Sequence, residues 1–252
     1  AGGNLGAEQV AKSARADGYT FLFASVSLAT SVSLSRLNFD PRKDLVAVAG
    51  VASIPSLMLI SNDSPYKTVK DVVAAIKDKK LQASFGSSGN ATGSHLVGEL
   101  FKSTAGIDML HVPYKGSGAV YPDLMAGRVT LLTDVMGSAL GQVKGGKVRA
   151  LAITSRDPLP ALPGVPPIAT VLPELEYESW IGVLGPRNLP RRVMDRIHRS
   201  MQEVIAMPDV SARIRDLGAL PRGSSPEEFR VRSEREIARF KTIVAARRIP
   251  ME

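Results

Sequence analysis

Two short polar runs carry the residues best suited to chemistry. The first, GSSGNATGS at positions 86–94, places Ser87, Ser88, Asn90 and Thr92 in one Gly-rich turn. Their hydroxyls and amide, with the backbone N–H groups of such a turn, suit a carboxylate, because neutral donors hold an anion without burying a counter-charge. Thr92 and Ser94 are also of the type that caps a following helix. The second run, HVPYKGS at positions 111–117, offers Tyr114, Gly116 and Ser117 at the start of another helix, where N–H groups are unsatisfied. Lys115 in that run is of a kind more often solvated than buried. Asp134 ends an apolar run at 129–133, at the edge of the same crevice. A carboxylate there repels an anionic ligand, so its expected role is indirect: holding a water, orienting a loop or capping the helix at Gly137. Ser25 and Ser27 end the run YTFLFA and complete the candidate ligand set.

Other chemistries fit poorly. GSSGN lacks the last glycine of a G-x-S-x-G nucleophile elbow, because Asn90 stands there. The run also lacks the spacing and the lysine of a phosphate-binding P-loop. His95, His111 and His198 fall on different elements. His95 and His111 can approach one another, but no Asp, Glu or Cys ligand spacing surrounds them, so the expected roles are structural and no metal is expected. His95, in the first turn after the loop, is placed to hydrogen-bond the loop or a ligand. The absence of cysteine removes disulfides, thiolate sites and cysteine nucleophiles together. The residues therefore point to binding, with no catalytic group and no cofactor.

The elements that position these groups follow from hydrophobic periodicity. Residues 81–85 read as a strand, 86–94 as a loop, 95–105 as a helix, 109–112 as the next strand and 116–126 as the next helix, ended by Gly127. Both loops then lie on the same edge of one parallel sheet, aiming N–H groups and helix-dipole ends at a common crevice. Upstream, 7–16 reads as a helix and 19–24, 45–51 and 56–60 as strands. Thr68 caps a helix at 69–79. Downstream, 129–133, 148–154 and 180–184 read as strands, 137–144 as a short helix and the Pro-rich 158–173 as a surface connection. The segments 190–206, 209–217 and 226–246 read as closing helices. The alternation predicts an α/β fold: parallel sheets with helices on both faces, in two lobes with a ligand cleft between them.

Composition narrows the partners. The formal net charge is +8, but Arg230, Arg232, Arg235 and Arg239 interleave with Glu227, Glu228, Glu234 and Glu236, as on a solvated helix face laced with ion pairs. Aromatics are 5% of the chain and absent from that stretch, so nucleic acid is not an expected partner. No apolar run approaches the ~20 residues of a membrane span, which argues against direct membrane insertion. No signal peptide is visible, and the chain opens in mid-pattern at Ala1-Gly2-Gly3-Asn4, as if sequence preceded it.

Several blocks together resemble the substrate-binding receptors of tripartite tricarboxylate transporters, the Bug-type periplasmic receptors. They are AGGNLGAEQVAKSARADGYTFLFAS, LNFDPRKDLVAVAGVASIP, the paired SSGNATGSH and HVPYKGS runs, KVRALAITS, LPALPGVPPIATVLPE and GALPRGSSPEEF. The resemblance spans essentially the whole chain. It implies a type II periplasmic binding protein-like fold of two doubly wound lobes, lobe one being 1–61 plus 155–252 and lobe two 62–154. It implies a periplasmic receptor that captures a small carboxylate or related polar molecule and delivers it to the permease subunits of a tripartite transporter. A ligand sensor feeding a signalling partner is the alternative, and a small-molecule hydrolase a weaker one. Family members carry a strand, a Pro- and Gly-rich loop, a helix and a further strand ahead of the AGGN block. Lobe one is therefore expected without its opening βαβ unit of roughly 30 residues, with tight binding weakened and association between chains as compensation.

Overall fold

The computed structural model of this chain describes residues 3–90 and 92–247. Ala1 and Gly2 of the opening block, Ala91 of the first polar run and Arg248 lie outside the described residues. The strands are β1 (Leu22–Ser25), β2 (Leu45–Ser61), β3 (Ser84–Ser87), β4 (Leu110–Pro113), β5 (Leu131–Val135), β6 (Val148–Ile153), β7 (Glu178–Pro186) and β8 (Leu220–Ser224). The helices are α1 (Asn4–Glu8), α2 (Ser27–Leu34), α3 (Pro41–Asp44), α4 (Val69–Lys77), α5 (Gly93–Ala105), α6 (Tyr121–Met125), α7 (Met136–Lys144), α8 (Arg191–Ala206), α9 (Pro208–Asp216) and α10 (Pro226–Arg247). Contacts divide the chain into two compact units: residues up to Ser53 with those from Ser179 onward, and Ile54–Glu178.

In the first unit β1 pairs antiparallel with β7, and β2 pairs antiparallel with β8 as far as Ser53. Helix α10 packs against α2. Its Phe229 meets Trp180 of β7 edge-on at 5.0 Å, over Gly182, where any Cβ would strike the Phe229 ring. Arg232 of α10 donates to Ser53 Oγ at 2.9 Å and to the Ser179 carbonyl at 3.5 Å, fastening the helix to β2 and β7.

In the second unit β3 is the parallel neighbour of both β4 and β5, while β2 pairs antiparallel with β5 and β6. Helix α4 opens on a capping box: Asp71 N–H donates to Thr68 Oγ1 at 3.1 Å, and Thr68 N–H donates back to Asp71 Oδ2 at 2.9 Å. Helix α5 ends at Gly106, whose φ of 61° favours glycine. It lies close on β3 because Gly98 leaves room for the Phe85 ring.

Several expectations are corrected. The sheets are mixed rather than parallel. The two strands expected at 45–51 and 56–60 are one 17-residue strand, β2, nearly all of it buried or half-buried. A continuous apolar run of this kind suits a strand covered on both faces. Pro55 falls in the gap between the β8 register, which ends at Ser53, and the β5 register, which begins at Ser56, so its missing N–H removes no bond from either ladder. The helix expected at 7–16 is α1 followed by a π-helical turn, Gln9–Ser13. That at 116–126 is a 3-10 turn, Ser117–Ala119, followed by α6. Strand β8 was not foreseen among the closing helices. The Pro-rich connection is partly internal, with Leu162 and Ile168 buried.

Candidate functional site

Strands β3 and β4 run parallel with Ser87 opposite Pro113, so the two polar runs leave the sheet at one edge. The backbone joins them. Tyr114 N–H donates to the Ser87 carbonyl at 3.0 Å and Gly116 N–H to the Ser88 carbonyl at 3.1 Å. Gly89 and Gly116 have φ of 135° and 97°, which a side chain would strain.

Hydroxyls knit the first loop together. Ser94 Oγ accepts from Ser88 N–H at 2.9 Å and lies 2.9 Å from Ser88 Oγ and 3.0 Å from Thr92 Oγ1. Thr92 Oγ1 donates to the Gly89 carbonyl at 2.7 Å and accepts from His95 N–H at 3.4 Å, so Thr92 caps α5. Asn90 stands exposed at the tip. Ser87 is fully buried, with Oγ 3.0 Å from the Gly89 carbonyl and 2.7 Å from His111 Nε2. One hydroxyl proton cannot serve both; if it goes to Gly89, His111 must present Nε2–H to Ser87.

Beneath the loop, the His95 and His111 rings stack, and Phe85 packs beside the pair, 4.8 Å from His111 and 6.2 Å from His95. Burial, reinforced by Lys102, holds His95 down to about 4. Burial and then His95 itself hold His111 down to about 4, against the opposing pull of Glu99. Both rings are thus neutral at pH 7. Lys102 Nζ lies 3.1 Å from Glu99 and 3.3 Å from Asp108.

The second loop is fastened through carboxylates. Tyr114 Oη donates to Asp123 Oδ2 at 2.5 Å, and Arg128 donates to Asp123 Oδ1. Burial and this contact push the Tyr114 phenol up to about 12. Asp134 is 2% exposed. It accepts from Ser117 Oγ at 2.7 Å, Tyr121 Oη at 2.9 Å, Ser138 Oγ at 2.6 Å and Val135 N–H at 2.9 Å. Its charge is held wholly by neutral donors, one of them the hydroxyl of Ser117. The N–H groups of Ser117 and Gly118 have no acceptor among the described residues.

The structure therefore gathers Ser87, Ser88, Thr92, His95, Tyr114, Gly116, Ser117 and Asp134 along one sheet edge of the second unit, with Lys115 exposed beside them. Ser25 and Ser27 belong to the first unit. Their Oγ atoms are 2.5 Å apart, beside a cavity of about 100 Å³ that Asn4 also lines. Sequence reasoning missed Tyr121 and Ser138 as partners of Asp134. The available signal for Ser138 was its place just inside α7, four residues past the strand-end Asp134. Among the described residues no group of three or more His, Cys, Asp or Glu is placed to hold a metal.

Comparison with known proteins adds an independent line. The family model described as "Tripartite tricarboxylate transporter family receptor" matches residues 1–249. A protein encoded in a tcbD-tcbE intergenic region of Pseudomonas sp. (strain P51) is 34% identical over 251 residues, covering 98% of this chain and 74% of that protein. The structure of R. palustris Rpa4515 with adipate superposes with a TM-score of 0.83 at 30% identity, covering 99% of this chain and 84% of that one. MatC (Rpa3494) from Rhodopseudomonas palustris with bound malate gives 0.78 at 26% identity, covering 97% and 85%.

Proposed function

This chain belongs to the family of tripartite tricarboxylate transporter receptors, and on that premise we propose that it is a periplasmic solute receptor that captures a small carboxylate and hands it to the membrane permease subunits of such a transporter. The observation that carries the reading is the joined pair of loops at the β3–β4 edge. They offer hydroxyls and, at Ser117 and Gly118, two N–H groups with no acceptor among the described residues, neutral donors of the kind a desolvated carboxylate takes. Adipate and malate, named with the two solved relatives, are both small dicarboxylates.

In this reading Ser88, Asn90 and Thr92 of the first loop and the Gly116–Ser117 turn of the second contact the carboxylate. Ser87, His95, Tyr114 and Asp134 act through the backbone they hold. A buried carboxylate saturated by four donors has no attraction for an anion, but it fixes the turn whose N–H groups do. The ligand leaves unchanged, since neither a metal nor an activated nucleophile is part of the scheme. Among the described residues no helix is long and apolar enough to cross a membrane, consistent with a receptor that acts beside its permease.

A thermal-shift screen and calorimetry with malate, adipate, citrate and matched amides test the proposal. A carboxylate that raises Tm in proportion to log concentration, with the shift lost in Ser88→Ala combined with Asn90→Ala, is the expected result. Indifference to every carboxylate in the panel would sink it. So would conversion of the ligand during incubation.

A further inference from the structure

The second unit carries a groove of about 740 Å³ well apart, in the lining residues, from the two polar loops. One wall is the outer edge of β6. Its inner edge is paired with β2, from Leu57 opposite Ile153 to Ser61 opposite Val148. On the outer edge Ile153 alone is engaged: its N–H donates to the Pro166 carbonyl at 2.9 Å, in a bridge with Pro167. Beyond that point the chain at 164–167 diverges from β6. Residues 148–152 then make no backbone hydrogen bond on the outer side among the described residues. An edge of unpaired N–H and C=O groups is a template for one more strand.

The groove's chemistry selects the strand it accepts. The lining includes Val143, Val148, Val165 and Val171, so alternate side chains of an added strand meet apolar surface. Its charged lining residues are Lys67, Lys70 and Arg149, and no carboxylate lines it. The nearest acid on α4, Asp71, is turned back onto the N–H groups of Lys67 and Thr68. Arg149 spends its two terminal nitrogens on the carbonyls of Asn62, Ser64 and Tyr66, while its Nε is buried without a partner. Pro166 and Pro167 stiffen the facing wall, and the β-bulge at Leu151 limits regular pairing to the Val148–Ala150 end, beside the cations.

We propose that this groove is a docking site for an extended acidic segment of a partner protein, which adds as a strand to the free edge of β6 and sets its carboxylates against the exposed Lys67 and Lys70. The site is separate from the loops that hold the solute, so both can be occupied together. Strand addition supplies affinity through the main chain, and the alternating apolar and cationic lining supplies the sequence preference.

The probe is a fluorescein-labelled peptide of alternating Glu and Val, seven residues long, titrated with the full chain by anisotropy. Three controls run beside it: the Lys/Val peptide, a Glu/Val peptide N-methylated at alternate residues, and the receptor variant Lys67→Glu with Lys70→Glu. Both lysines are exposed, so the variant should fold, and a circular dichroism melt checks that it does. Saturable binding of the Glu/Val peptide is expected, weakened about tenfold by the charge reversal and about tenfold by N-methylation, with no binding of the Lys/Val peptide. Equal binding of both charge types, or full retention after N-methylation, overturns strand addition by an acidic segment, and so does failure of the Glu/Val peptide to bind. Malate at saturating concentration should leave the peptide affinity unchanged; competition would assign the peptide to the solute site instead.

Discussion

The imidazole rings of His95 and His111 lie face to face, centroids 3.8 Å apart and planes 5° from parallel. One is on the first turn of α5 and the other on β4, so the stack ties the helix to the strand directly under the first polar loop. Two stacked imidazolium ions would repel, and both rings are held neutral by burial, with folded values of about 4 against an ordinary 6.5. Between these values the unfolded chain binds more protons than the folded one. Stability from each ring is therefore complete above pH 6.5 and is lost as pH falls toward 4, on the order of 3 kcal/mol for the more buried His95. Urea unfolding of the native chain and of His95→Gln across pH 4–7 measures it. The variant should lose part of the slope, whatever its absolute stability; equal slopes would rule out the stack as the source.

Asp134 and its four donors form a second closed network. Asp134→Ala should leave the buried Tyr121 hydroxyl without its acceptor and cost about 3 kcal/mol, read as a lower urea midpoint. Tyr121→Phe in the Asp134→Ala background should recover part of the loss, giving a non-additive double-mutant cycle. Strict additivity would mean that the two groups do not interact. The single Asp134→Ala change should also weaken solute binding, because the Ser117 turn is released.

Gly98 is the contact point of α5 on β3. A Cβ there meets the ring of Phe85, which packs against both His111 and His95. Gly98→Ala should destabilise by about 1–3 kcal/mol despite its better helix propensity, since overpacking outweighs the gain. A stabilised variant would show that the helix can slide.

The capping box of α4 offers a simpler test. Thr68→Ala removes the acceptor for Asp71 N–H and should cost about 1 kcal/mol. The Asp71 carboxyl is held below its usual range, first by Lys67 N–H and then by Thr68. A depressed carboxyl contributes stability above its unfolded value that fades as pH falls through the folded one. Asp71→Asn should therefore be less stable than the native chain at pH 7 and converge on it in acid, which a pH series of thermal melts would read.

Local chemistry was legible in the amino-acid sequence. Thr68 and Thr92 were readable as caps because their partners lie within three residues, and the two polar loops because a strand, a Gly/Ser turn and a helix follow one another twice at short range. The family was readable too, since its blocks run the length of the chain. Long-range pairing was not. The sequence of β2 reads equally well as two parallel strands or one long antiparallel one; only its partners β5, β6 and β8, up to 174 positions away at Gly50 opposite Ser224, decide, and they make the expected parallel sheet a mixed one. Strand β8, with Pro221 and Gly223, carries too weak a local signal to be a strand until β2 pairs with it. Asp134 was legible as a carboxylate at a sheet edge, but what it touches depends on folding Ser117, Tyr121 and Ser138 around one point. The general reason is physical: caps and turns are set by neighbours in the chain, whereas sheet register and buried polar networks are set by contacts whose loop-closure cost the whole fold must meet at once.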